Sequence, residues 1–167
     1  METLKLEHLV GYLSYGLKIQ TKFGIDVPEN GHIYRLIGIC KKSTVFKFDD
    51  LVIEVAEKHN KGMSHEYFTF KPILHPLSSL TKEIEINGEK FVPIKELRRN
   101  FHGKIEVYMY LDGTITLDIE TENYSQTVDL FDGYLITNQL LKWKFDIHGL
   151  IDKGLAIAVT GEFNPYK

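Results

Sequence analysis

The chain has 167 residues, 43% of them hydrophobic and 26% charged, which suits one folded domain and is short for two. Its formal net charge of −3 excludes a global attraction to nucleic acid or to an anionic membrane. The first residues, Met1 to Glu7, carry acids where a signal peptide needs a positive segment, no apolar run is long enough for a membrane span, and the single cysteine, Cys40, has no internal partner, so the expectation is a cytoplasmic chain forming one domain over 1–167.

Residues 3–13 predict a short amphipathic helix with Thr3 as N-cap and Leu6, Leu9, Val10 and Leu13 on one face. Gly16 stops it. Leu17 to Phe23 alternates as a half-buried strand, and 24–31 reads as a turn or loop. Strands are expected at 32–40, 44–48 and 51–55, an exposed loop at 58–64, and a further strand at 66–70. Pro72 and Pro76 then confine the chain to an extended or irregular path, because each lacks a backbone donor.

Two hairpins follow. Asn87-Gly88 suits a type I′ turn, and a two-residue loop there pairs Ile84 with Phe91 and Glu85 with Lys90. In 105–120 a two-residue Asp112-Gly113 loop would set Val107 against Asp118. A three-residue loop, Leu111-Asp112-Gly113, instead pairs Ile105 with Ile119, Val107 with Leu117 and Met109 with Ile115, and is preferred.

Between the hairpins, 93–102 predicts a short helix, with Pro93 at its first position and Ile94, Leu97 and Phe101 inward. A long C-terminal helix is expected from Asp132 to His148, carrying Ile136, Leu140, Trp143 and Ile147, with Gly149 after its cap and a last strand at 155–159. The fold class is therefore α+β: a mainly antiparallel sheet with an N-terminal helix, a short middle helix and a long C-terminal helix packed on it.

Lys95, Arg98, Arg99 and His102 lie opposite the apolar stripe of the middle helix. Their donors suit a phosphate, a carboxylate or an acidic partner, and they equally suit a solvated helix face. Tyr108 and Tyr110 could make an aromatic surface for stacking or could be core beneath a helix. Asp49, Asp50, Glu54, Glu57, His59, His65 and Glu66 match no metal-ligand spacing and read as surface charge. Cys40 reads as a buried thiol. His148 sits at the expected helix end, where the dipole favours it, with Asp146 and Asp152 nearby and no nucleophile beside it. Phosphate loops and nucleophile elbows are missing. No cofactor, metal or catalytic set is expected.

Three phrases stand out: Tyr12-Leu-Ser-Tyr-Gly-Leu-Lys18, Ile73-Leu-His-Pro-Leu-Ser-Ser-Leu-Thr-Lys-Glu83 and Trp143-Lys-Phe-Asp-Ile-His-Gly-Leu-Ile-Asp-Lys-Gly-Leu-Ala-Ile157. Through them the chain resembles a family of small uncharacterised proteins from phages and prophages of Bacteroidales bacteria. It departs from that pattern at Ser14, where proline is expected, and at His75 and Ser79, where arginine and aspartate are expected. The resemblance implies a setting in an infected bacterial cell and no particular chemistry. The leading expectation is a non-enzymatic binding protein that counters host defence, by blocking a host protein or by sequestering a small nucleotide signal. The alternative is a nucleic-acid-associated accessory protein using the basic helix face. Neither involves a membrane, and strand edges leave room for a homo-oligomer.

Overall fold

The computed structural model describes residues 3–21, 32–41, 51–56, 62–65, 70–100, 104–109, 115–120 and 130–167. Two 3-10 turns, Leu6–His8 and Val10–Tyr15, lead into β1 (Lys18–Thr21), β2 (His32–Lys41), β3 (Leu51–Ala56), β4 (Gly62–His65) and β5 (Phe70–Leu74). A 3-10 turn at Leu77–Ser79 precedes β6 (Ile84–Ile86), β7 (Glu89–Phe91), α1 (Pro93–Asn100), β8 (Lys104–Met109), β9 (Ile115–Glu120), α2 (Leu130–Lys142) and β10 (Ile157–Ala158). Six strands form one sheet in the order β10-β5-β1-β2-β3-β4. Its pairings are antiparallel except β10 on β5, which is parallel. This is the expected α+β class with a mainly antiparallel sheet.

Both expected hairpin registers are present. Ile84 faces Phe91 and Glu85 faces Lys90 across β6 and β7. Asn87 and Gly88 take φ of 53° and 80°, the left-handed pair that a type I′ turn requires. Ile105, Val107 and Met109 face Ile119, Leu117 and Ile115; the loop joining β8 to β9 lies outside the described residues.

The N-terminal segment corrects the expectation of an α-helix. It is two 3-10 turns, because Val10, Gly11, Tyr12, Ser14 and Tyr15 are weak helix formers and a short run can close tighter turns instead. The C-terminal helix is also shorter than expected and ends at Lys142. Phe145 N–H donates to Leu140 C=O at 2.9 Å and Lys144 N–H to Leu141 C=O at 2.9 Å. That is a Schellman stop with Lys144, at φ 59°, in the left-handed position that glycine usually fills. Its apolar contact is present too, since Leu140 and Phe145 share one core cluster. Gly149, also left-handed at φ 64°, belongs to a later turn.

Residues 62–64, expected as loop, belong to β4 and pair with β3, which sets Ile53 against His65 and Val55 against Met63. An edge strand is held by backbone bonds on one side and needs no apolar alternation, so its sequence hides it. Pro72 is tolerated inside β5 because β10 reaches only Ile73 and Leu74. The strand expected at 44–48 lies outside the described residues, and so does 66–69.

Ile73 and Leu74 enter different apolar clusters, as successive strand residues must. Ile73 joins Leu80, Ile84, Ile86, Ile94, Leu97, Ile136, Leu140, Trp143 and Phe145. Leu74 joins Leu9, Tyr12, Leu17, Ile19, Leu36 and Leu141. The sheet is thus covered on both faces at β5. A register shift between Leu36 and Gly38 reverses the alternation of β2, so that Leu36 and Ile39 both meet the second cluster while Ile37 is exposed.

Candidate functional site

The three sequence phrases, far apart in the chain, meet beside β5. His75 forms a parallel bridge with Phe145. Its N–H donates to Lys144 C=O at 2.8 Å, and its C=O accepts from Asp146 N–H at 2.9 Å. The Tyr12 hydroxyl donates to Phe145 C=O at 2.6 Å. The Asp146 carboxylate accepts the N–H groups of Leu150 and Ile151, at 2.8 and 2.7 Å. Asp146 therefore closes a turn, and every phrase contributes to one hydrogen-bonded knot.

Tyr166 completes the knot. Its hydroxyl donates to Ile73 C=O at 2.7 Å and accepts Lys18 N–H at 3.0 Å. Its ring lies 6.0 Å from that of His75, and the Lys144 Nζ lies 5.2 Å from the ring centre. The ring thus neighbours two buried basic residues, and each of these borders a hollow.

The first hollow, of about 500 Å³, is lined by Ser14, Tyr15, Gly16, Arg35, Ile86, Asn87, Glu89, Phe91, Lys142, Trp143 and Lys144. Three of these are cations and three are aromatic, against one carboxylate. Lys144 is only 6% exposed. Burial pushes its ammonium pKa down, and the charges of Lys18 and Lys142 push it further the same way. Lys18 stands directly across from Arg35 in the β1–β2 ladder, and its Nζ donates to Pro165 C=O. A patch with this sign and these flat walls can hold a phosphate beside a planar ring.

The second hollow, of about 430 Å³, has His75, Ser78, Ser79, Lys82, Lys90, Asn164 and Lys167 among its lining. His75 is 2% exposed, and its Nε2 has no hydrogen-bond partner among the described residues. Burial first, and then the Lys144 charge, lower its pKa to about 4, so the imidazole is neutral at pH 7.

The basic residues expected on the middle helix are placed as follows. Lys95, Arg98 and Arg99 are exposed on α1, and Arg99 pairs with Glu96. His102 lies outside the described residues. Arg99 borders another hollow that shares Glu89, Phe91 and Trp143 with the Lys144 hollow. Tyr108 faces Thr116 in the β8–β9 ladder; its side chain and all of Tyr110 lie outside the described residues. His148 is not at a helix end, because α2 stops at Lys142; its ring lies 5.5 Å from that of His8. Arg35, Lys142, Lys144 and Tyr166 were not anticipated. The available signal was Lys144 itself, a charge between Trp143 and Phe145 on a stripe that is otherwise apolar.

No protein-family model, curated protein or solved structure matches the chain.

Proposed function

We propose that this is a non-enzymatic binding protein that sequesters a small nucleotide, with the Lys144 hollow as its site. The observation that carries this reading is the grouping of Arg35 and Lys142 with Tyr15, Phe91 and Trp143 around one opening of about 500 Å³ that Lys144 also lines. Cations meet phosphate oxygens, aromatic faces meet a base, and the hollow is of the size that small ligands use. The resemblance to phage proteins supplies the setting, in which removing a nucleotide signal would counter host defence in the cytoplasm of an infected bacterium.

Native mass spectrometry of the protein purified gently from its bacterial host tests this. Retained mass of a few nucleotide units supports sequestration. A bare chain that takes up no added nucleotide overturns it, and directs attention to a blocked host protein. The accessory role in nucleic-acid binding rests on Lys95, Arg98 and Arg99, which are exposed on α1. It requires salt-sensitive binding that disappears when both arginines become alanine.

A further inference from the structure

The placement of Lys144 is costly in two independent ways. Its side chain is buried with other cations around it, and its backbone is held at φ 59°, a region that disfavours any residue with a Cβ. A glycine would satisfy the helix stop better and would remove the buried charge. Two local rules are broken at one residue, against which stand the packing of its buried stem and the approach of Nζ to the Tyr166 ring at 5.2 Å; a position that breaks local rules in this way is where function is expected.

We infer that Lys144 is a reactive amine, whose Nζ condenses with the carbonyl carbon of an aldehyde or ketone carrying an anionic group. The Nζ lone pair attacks the carbonyl carbon and forms a C–N bond. The C–O bond then breaks, and the oxygen leaves as water with the two amine protons, giving an imine. Nothing is oxidised or reduced. The amine feels the charges of Lys18 from β1 and Lys142 from α2, acts in turn on His75 beside β5, and lies 5.2 Å from the Tyr166 ring, while Arg35 from β2 and Glu89 from β7 line the same hollow. Desolvation and neighbouring cations favour the neutral, nucleophilic form of a lysine. Arg35 and Lys142, which line the same hollow, would hold the anionic group beside the bond being made. The choice of an anionic carbonyl compound rests on the proposed anion-binding character of this hollow; the reactivity of the amine does not.

The test uses the full chain at pH 7 with pyridoxal 5′-phosphate, borohydride to reduce any imine, and peptide mapping by mass spectrometry. The expected result is a label on Lys144 that exceeds that on exposed lysines such as Lys95 and Lys142, and that is lost in Lys144→Met. Label spread over exposed lysines, with Lys144 unmodified, would overturn the inference. Mapping on the unmutated chain gives this answer even if the variant folds poorly. A parallel arm with pyridoxal, which lacks the phosphate, separates the two ideas. Equal labelling of Lys144 by both reagents would leave the amine in place and remove the anion-binding reading.

Discussion

The Tyr166 hydroxyl bonds the carbonyl of Ile73 across 93 positions of sequence, at 2.7 Å. Lys18 and Ile73 would be the next pair of the β1–β5 ladder, which runs from Thr21/Phe70 to Ile19/Pro72. The tyrosine oxygen lies between them, accepting from one strand and donating to the other.

Tyr166→Phe removes both bonds and leaves a buried carbonyl and a strand N–H unsatisfied. The expected loss is about 3 kcal/mol of unfolding free energy, read as a lower urea midpoint with an unchanged slope. A midpoint equal to that of the parent chain would show that the two strands close on each other without the tyrosine.

Lys144→Gly should act in the opposite sense on stability. Relief of the left-handed backbone is worth about 1 kcal/mol, and removal of the buried ammonium adds to it. The variant should therefore unfold at higher urea while binding nucleotide more weakly. A less stable variant would mean that the lysine side chain holds the knot together.

His75 makes stability depend on pH. Its folded pKa of about 4 lies below the ordinary value of 6.5, so the unfolded chain binds more protons between those values. The stability contributed by the neutral ring is present above pH 6.5 and is lost as pH falls towards 4, by about 3 kcal/mol at most. Urea midpoints measured from pH 7 to pH 4 should fall, and His75→Phe should flatten that part of the profile. An equally steep fall in the variant would assign the titration to other groups.

The fold was legible where local chemistry and long-range packing agree. Asn87-Gly88 and the apolar pairs around it define their own register, and Ile105, Val107 and Met109 find partners by the same logic. Pro93 opens α1 as its fixed φ favours. The misses have the opposite character. Lys144 occupies a position where glycine is the readable signal, so the apolar period of the sequence runs on past the true helix end at Lys142. Gly62–His65 pairs through backbone atoms that composition does not report. The site was less legible still. Three phrases could be recognised as special, yet their meeting depends on Tyr12, His75 and Lys144 to Asp146 coming together through the tertiary fold. Arg35 and Tyr166 carry no motif that would add them.

The most direct measurement is isothermal titration of the protein, at low salt, with a panel of nucleoside triphosphates and cyclic nucleotides. Saturable binding is expected, weakened about tenfold or more when Arg35 and Lys142 become alanine and unchanged when Arg98 and Arg99 do. Absence of binding across the panel, or binding that follows Arg98 and Arg99 instead, would contradict the assignment of the Lys144 hollow.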